Sequence, residues 1–255
     1  MKPRTTATVI AATLAAATIG ACGGDDESAA EPASSSGLPQ GSEHVELDPA
    51  EFTTEIDNPY WPMPVGARWS YDETDGKTGE VLHVTVTVTD RTKQIANGVE
   101  ARVVHDVVRD ERGVPIEVTD DWYAQDAEGN VWYLGEDTAE YENGKVATRA
   151  GSFEAGVDGA EAGVIMPANP KPGMAYRQEY YEGEAEDHGA ILSTDEKVQV
   201  PTGYYEGALM TKDLVPLEPR VEELKLYARG IGPVLTLSIS GGSGREELVA
   251  FKPGG

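Results

Sequence analysis

Histidines and short acidic runs are the side chains of this sequence that could support catalysis or metal binding. The histidines are His44, His83, His105 and His188. His105 precedes Asp106 in a predicted strand, and His188 ends the predicted loop Glu184-Ala-Glu186-Asp187-His188. Imidazole with carboxylate suits zinc, but neighbouring strand residues point to opposite faces, so His105 and Asp106 cannot both reach one ion. We therefore assign no metal ligand.

Acidic residues form three further candidates. The stretch from Asp72 to Glu80 could offer oxygen ligands to calcium, but it lacks the spacing of an EF-hand loop and is typical of a hairpin turn. The pairs Asp120-Asp121 and Glu136-Asp137 could serve glycoside hydrolysis, which needs two carboxyl groups about 5–9.5 Å apart. Because adjacency in sequence does not give that geometry, we assign no catalytic residue.

Motifs of known catalytic or cofactor sites are missing from the sequence. There is no Gly-x-Ser-x-Gly elbow, no His-Glu-x-x-His helix and no P-loop, and Gly241-Gly-Ser-Gly244 is typical of a turn. The sequence predicts no cofactor and favours a non-enzymatic protein. A hydrolase remains an alternative, with a site assembled from distant residues such as a histidine and a serine.

Two aromatic runs predict a hairpin that could bind a ligand. They are Asp121-Trp-Tyr-Ala-Gln125 and Val131-Trp-Tyr-Leu-Gly135, separated by five residues. If those five form the loop, Tyr123 faces Tyr133, Ala124 faces Trp132 and Trp122 faces Leu134. One face then carries Trp122, Ala124, Trp132 and Leu134, which is a core face. The other carries Tyr123 and Tyr133 beside Asp121 and Gln125, which suits stacking on a sugar or peptide, although such tyrosines also stabilise ordinary sheets.

Cys22 is the only cysteine, and the residues before it indicate export. Lys2 and Arg4 precede an apolar run from Ala7 to Ile19, which is too short to span a bilayer and is typical of a signal peptide. Ile19-Gly-Ala-Cys22 resembles the lipobox of bacterial lipoproteins. The resemblance implies that residues 1–21 are removed and that Cys22 is diacylated, since two acyl chains make a stable membrane anchor. We thus expect a lipid-anchored (palmitate-type) protein on the extracytoplasmic side of a cell membrane.

The mature chain is strongly acidic. Residues 1–21 contain two of the 20 basic residues and no acidic residue, so 18 basic and 45 acidic residues remain, a formal net charge of −27. Such a chain would be repelled by the phosphates of nucleic acid, which we exclude as a partner. With Cys22 assigned to the anchor, disulfide and thiolate chemistry are also excluded.

The chain divides into a leader, a tether and one domain. Residues 22–46 are rich in Gly, Ser, Asp, Glu and Pro, which predicts a disordered acidic tether. Residues 47–255 form one predicted domain, because no linker interrupts them. It opens with Asp48 and Pro49, which could cap and begin a short helical turn.

Strand patterns dominate this domain. His83 to Thr89 alternates strictly and places Val84, Val86 and Val88 on one face. Turn pairs separate the runs, namely Asp75-Gly76, Asn97-Gly98, Arg112-Gly113, Gly129-Asn130 and Asn143-Gly144. Val221 to Ala228 fits a helix or a strand, and its neighbours favour the strand. The pattern predicts an all-β, mainly antiparallel fold.

Two motifs at the ends of the domain carry a resemblance. Tyr60-Trp-Pro-Met-Pro-Val-Gly-Ala-Arg-Trp69-Ser-Tyr71 is similar to the "YFPL…G…W.Y" opening of many uncharacterised bacterial secreted proteins, and Tyr227 to Val234 is similar to their closing "YAPGVGLV". The resemblance implies a curved antiparallel sheet or incomplete barrel and supplies no catalytic residue. Arg229 and Pro233 depart from the pattern, and Pro233 suits an edge strand or a bulge.

Three functions follow as hypotheses. The first is a binding or carrier domain, held at the membrane through Cys22, for a lipid, a glycan or an envelope protein. The second is a hydrolase with a site built from distant residues. The third is a cation-binding acidic domain.

Overall fold

The structure is a computed structural model that describes residues 37–255, so the predicted signal peptide and Cys22 lie outside the described residues. Sixteen strands and one 3-10 turn, Pro49–Glu51, make up its regular structure. Asp48 accepts a hydrogen bond from Ala50 N at 3.0 Å, with Pro49 first in the turn, as predicted. The all-β prediction is confirmed. No helix in this part of the chain has the length and apolar character to cross a membrane.

The strands follow one another through the chain with short connections. In chain order they are β1 (Phe52–Thr53), β2 (Arg68–Asp75), β3 (Val81–Gln94), β4 (Glu100–Arg109), β5 (Pro115–Asp126), β6 (Val131–Glu142), β7 (Lys145–Thr148), β8 (Phe153–Glu154), β9 (Glu161–Met166), β10 (Ala175–Arg177), β11 (Glu179–Tyr180), β12 (His188–Val200), β13 (Gly203–Leu214), β14 (Glu222–Ala228), β15 (Gly232–Ser240) and β16 (Gly244–Lys252).

One antiparallel sheet curls into a nearly closed barrel. Its strand order is β10-β12-β13-β14-β15-β16-β2-β3-β4-β5-β6-β9-β11. The two edge strands of this order, β10 and β11, follow each other in the chain with one residue between them. β10 pairs with β12 at one edge, and β11 pairs with β9 at the other. The two edges of the sheet therefore meet along one seam, where the segment from Ala175 to Tyr180 changes partners.

Residues 38–43 cover this seam. Arg177, fully buried, donates from its backbone N to Pro39 O at 2.6 Å and from its guanidinium to the carbonyls of Gly41, Glu43 and Ala162. The sequence predicts a disordered tether up to residue 46, whereas these contacts start at about residue 38. The difference arises because backbone carbonyls, which any composition provides, accept hydrogen bonds from Nη1 and Nη2 of the buried guanidinium.

The predicted turns lie where the sequence places them. Each of the five Gly- and Asn-rich pairs connects two consecutive strands between β2 and β7. Gly98, with φ of 97°, and Asn143, with φ of 52°, adopt the left-handed conformation that such turns require. The ambiguous stretch after Val221 is β14, which confirms the preference for a strand.

The two end motifs meet at one end of the barrel, which is closed by residues 56–63, here called the plug. Trp61 packs between Tyr123 and Tyr227, with ring centroids 6.0 and 5.5 Å away. Trp69 Nε1 donates to Ile231 O at 2.8 Å, and the Tyr71 hydroxyl donates to Pro233 O at 3.0 Å. The residues that carry the resemblance thus form one packing unit.

Pro233 lies in β15 between two other strands. It pairs with Tyr227 next to a register shift between Leu226 and Tyr227. A bulge is a place where a strand tolerates a residue without an N–H group, and the prediction of a bulge is confirmed.

Candidate functional site

The hairpin of β5 and β6 shows which residues face the barrel interior. The five-residue loop is as predicted, with Tyr123 opposite Tyr133 and Ala124 opposite Trp132. A bulge in β6 then shifts the register, so that Asp121 faces Glu136, and Leu134 and Gly135 together lie opposite Trp122. The predicted one-to-one pairing of Trp122 with Leu134 is therefore wrong, because β6 has one extra residue at this point.

Both faces of this hairpin are buried. Trp132 faces outward from the barrel and is covered by Phe52, whose ring contacts it edge-on with centroids 6.1 Å apart. Tyr123 and Tyr133 face the interior, are 8% and 7% exposed, and stack with centroids 5.0 Å apart at 24°. The tyrosine pair lies where the plug meets the remaining interior, since Trp61 contacts Tyr123.

The four residues predicted to form a ligand surface divide into two groups. Tyr123, Tyr133 and Asp121 lie together in the interior. Gln125 instead holds the entry to the plug, since its Oε1 accepts from the backbone N of Asp57 and of Asn58 and its Nε2 donates to Asp57 Oδ1 at 2.7 Å. Ligand binding by Tyr123, Tyr133 and Asp121 stays a prediction.

The interior half away from the plug is lined by carboxyl groups, and we call it the cup. Direct partners in antiparallel strands share a face. Starting from Asp121 opposite Glu136, the pairings place acidic residues on this face of strand after strand around the barrel. The strands and the adjoining loops contribute Glu73, Asp106, Glu117, Asp121, Glu136, Glu140, Glu179, Asp187, Asp213, Glu223 and Glu246.

Lys225 is the one basic side chain that the described residues place among these carboxyl groups. Its Nζ lies 2.7 Å from Asp213 Oδ2. Burial opposes the charge on Lys225, but Asp213 and other neighbouring acidic groups outweigh it and raise the pKa of the ammonium group. The cup therefore contains a stable ammonium ion and a large excess of acidic groups.

Eight of the cup carboxyls have raised pKa values, namely Glu73, Asp106, Glu117, Asp121, Glu136, Glu179, Asp187 and Glu246. Burial is the main cause, and repulsion by neighbouring carboxylates adds to it. The pKa of Asp106 rises to about 8 and that of Glu246 to about 7. The pKa values of Asp121 and Glu136 rise for the same two reasons.

The Tyr133 hydroxyl lies between the carboxyl groups of Asp121 and Glu136. Its hydroxyl lies 2.8 Å from Asp121 Oδ1 and 2.7 Å from Glu136 Oε2. A hydroxyl has one hydrogen to donate, so both contacts are hydrogen bonds only if one of the carboxyl groups is protonated. In that state Asp121 and Glu136 share a single negative charge.

The cup opens at the end opposite the plug. A cavity of about 290 Å³ lies at its mouth, lined by Glu140, Glu179, Asp187 and Glu223 with Val215 and Leu217 from the loop between β13 and β14. Lys225 keeps 31% of its side chain accessible although strands surround it. The cup is thus enclosed by protein and reachable by water.

Some polar groups in the interior have no hydrogen-bond partner in the described part of the chain. They are Asp106 Oδ1, the hydroxyl of Tyr176 and Nε2 of Gln178. Tyr176 is only 1% exposed, and it faces the cup because its strand partner, Gly189, pairs in turn with Asp213. A buried hydroxyl without a partner is unusual in a folded protein.

The histidines lie outside the cup. His83 Nδ1 is 2.7 Å from Asp72, and His105 Nδ1 is 2.7 Å from Asp120, which also accepts two hydrogen bonds from Arg91. The structure confirms that His105 and Asp106 face opposite ways.

The hydrolase and metal hypotheses each call for a particular grouping of side chains within residues 37–255. No serine there is hydrogen-bonded to a histidine, and no three His, Cys, Asp or Glu side chains there converge as metal ligands. In the stretch proposed for calcium, Asp75 Oδ1 accepts from the backbone N of Lys77 and Thr78 at 2.7 Å, as a turn residue does.

The comparisons with known proteins are distant. No protein-family model matches the chain. No curated protein matches it either. Among solved structures it is similar to a presumed exported protein with a YmcC-like fold from Bacteroides fragilis, with a TM-score of 0.46 and 15% identity, over 76% of this chain and 99% of that one. It is also similar to a presumed lipoprotein from Parabacteroides distasonis, with a TM-score of 0.42 and 13% identity, over 76% and 98%. At this distance neither likeness assigns an activity or a ligand to this chain.

Proposed function

We propose that the protein is an envelope lipoprotein, anchored through Cys22, whose barrel binds a cationic ligand in the cup. The lipobox-like residues before Cys22 support the anchor. The excess of enclosed carboxyl groups over the single Lys225 supports the ligand's charge, and it is the observation on which the proposal depends.

The physical reason is the unfavourable free energy of the empty cup. Carboxylates placed opposite each other destabilise a sheet, and burying them without a counterion raises their pKa. A cation that enters the cup relieves both effects. Features that reduce stability without an evident structural gain are typical of binding sites.

A cation fits the cup better than the lipid that the sequence also suggests. An acyl chain needs apolar surface, whereas Asp106, Glu117 and Glu246 stand on the interior faces of β4, β5 and β16. The apolar part of the interior is occupied by the plug, with Trp61 against Tyr123 and Tyr227.

Added cations should stabilise the protein at pH 8 and much less at pH 5. At pH 8 the cup carboxyls ionise and attract a cation, whereas at pH 5 protons neutralise them. We expect a binding cation at 100 times its Kd to add about 2.7 kcal/mol, or roughly 5–10 °C in Tm, at pH 8. The measurement is differential scanning fluorimetry of the mature protein in a neutral detergent and 0.15 M NaCl, with a panel of metal ions and amines.

Two double variants distinguish cation binding in the cup from cation binding to the outer surface. Asp121→Asn with Glu136→Gln removes two carboxyl groups inside the cup, whereas Asp72→Asn with Asp137→Asn removes two from the outer face, where both side chains are exposed. Only the cup variant should lose the stabilisation. If no cation shifts Tm, or if both variants lose the shift equally, the cup does not bind cations.

Cys22→Ser should release the protein from membranes. Serine cannot carry the thioether-linked lipid, and the acidic chain has no basic cluster to bind anionic headgroups. We expect most of the protein in the soluble fraction after membrane sedimentation, with Ser28→Ala as the control that stays in the membrane fraction. Retention of the Cys22→Ser protein in membranes would contradict the anchor.

A further inference from the structure

The acidic groups of the cup are arranged as facing pairs. Direct strand partners include Glu73 with Glu246, Glu117 with Glu140, Asp121 with Glu136 and Asp213 with Glu223. Cβ atoms of direct partners in antiparallel strands are about 4.5–5.5 Å apart. Each pair can thus accept hydrogen bonds from a group placed between its two carboxylates, and the pairs lie on different parts of the barrel wall.

This arrangement suits ammonium groups better than a metal ion. A metal ion requires several ligands converging at about 2.0–2.6 Å, and no three acidic or histidine side chains of the described residues converge in this way. An ammonium group carries three N–H donors and can contact two carboxylates and a hydroxyl at once.

Lys225 shows that the cup stabilises such a group. Its ammonium lies 2.7 Å from Asp213 Oδ2 inside the barrel and remains charged in spite of burial. Near it lies the Tyr176 hydroxyl, which is buried, has no partner in the described chain and can accept a further N–H donor. Asp106 Oδ1 offers a second acceptor of the same kind.

The stacked tyrosines border the site. The Tyr133 hydroxyl contacts the carboxyl pair Asp121 and Glu136, while the two rings pack on each other and against Trp61 and Phe153. The mouth cavity of about 290 Å³ is near the lower end of the range for small-molecule sites, roughly 300–1,000 Å³.

We infer that the ligand of the cup is an organic polyamine, a flexible chain with two or more ammonium groups that each contact a different carboxyl pair. The inference rests on the proposed function and adds the ligand's chemical class. A polyamine can neutralise several pairs with one molecule, whereas a monoamine neutralises one.

Isothermal titration calorimetry of the mature protein in neutral detergent tests the inference. The probes are spermidine, n-butylamine, CaCl2 and MgCl2, at pH 8 and in 0.15 M NaCl, where the Debye length of about 8 Å screens the outer surface. We expect spermidine to bind with a Kd at least tenfold lower than that of butylamine and of either metal ion. We expect the Kd for spermidine to rise at least tenfold in the double variant Asp121→Asn with Glu136→Gln, and also in Glu246→Gln. The outer-face variant, Asp72→Asn with Asp137→Asn, should leave this Kd unchanged.

The outcomes separate the inference from the proposed function. Tighter binding of calcium or magnesium, or equal binding of butylamine and spermidine, would overturn the polyamine and leave the cation-binding cup. Failure of every probe to bind would overturn both. Equal loss of spermidine binding in the cup and outer-face variants would show attraction to the overall negative charge, and it would also overturn both.

Discussion

The thermal stability of the ligand-free protein should fall as the pH rises from 5 to 8. Buried carboxyls of the cup have raised pKa values in the folded state, among them Asp106 at about 8 and Glu246 at about 7. In the unfolded chain they ionise near pH 4. Between these values the folded state holds more protons than the unfolded state, so stability is fully present below about pH 4 and is lost as the pH rises through the folded pKa.

The expected effect is large. Each carboxyl that stays protonated in the folded state and ionised in the unfolded state contributes about 1.4 kcal/mol per pH unit. One such group accounts for about 4 kcal/mol between pH 5 and 8, which corresponds to a fall in Tm of about 10 °C in a domain of this size. Scanning calorimetry at several pH values, without amines or divalent ions, measures it.

The cup variant is the control for this pH dependence. Asparagine at Asp121 and glutamine at Glu136 keep the size of the side chains and cannot ionise, so the double variant should be more stable than the parent at pH 8 and similar to it at pH 5. A Tm that does not depend on pH in the parent protein, or a pH dependence that is unchanged in the variant, would contradict the interpretation.

Trp69→Ala should destabilise the domain by about 3–5 kcal/mol, as large-to-small changes of buried aromatic residues do. Trp69 is buried, packs on Phe251 with centroids 5.4 Å apart and donates to Ile231 O. The change leaves a cavity in the unit that joins the two end motifs and removes the donor for the partly buried carbonyl of Ile231. Urea unfolding followed by circular dichroism measures the loss.

Two further substitutions test the cause. Trp69→Phe keeps most of the ring and removes only the N–H donor, so it should cost about 1–3 kcal/mol. Val146→Ala, at an exposed position of β7, should change stability by less than about 0.5 kcal/mol. A loss below about 1 kcal/mol for Trp69→Ala would show that the two motifs do not form a stabilising unit.

The sequence predicts the strands and turns well because both depend on local patterns. Alternation between His83 and Thr89 predicts the inward valines, and the Asn-Gly and Asp-Gly pairs predict the turns. Register is less predictable. The local signal for the bulge opposite Trp122 is Gly135, with φ of 129°, since a glycine inside a strand often marks a bulge, but a glycine alone does not give the resulting register.

The cup is harder to recognise from sequence. An alternating strand shows two faces but does not say which of them points inward, and charged residues are normally assigned to solvent. In β15, Leu237 and Ile239 alternate with Thr236 and Ser238, yet the polar residues face the cup and Ile239 is exposed. The available signal is the spacing of acidic residues in β5, where Glu117 and Asp121 lie on the same face as Tyr123. The acidic residues of the other strands approach them only in the folded barrel.

The seam has a mechanical consequence for a protein held by its N-terminal end. Residues 38–43 are the first described residues to bond to the barrel, and they do so through the carbonyls of Pro39, Gly41 and Glu43 to Arg177. A pulling force applied to the chain before residue 37 would therefore act on these hydrogen bonds before it acts on those between the strands of the sheet. If the protein is anchored through Cys22 as proposed, the covering segment would separate from the seam before any strand leaves the sheet.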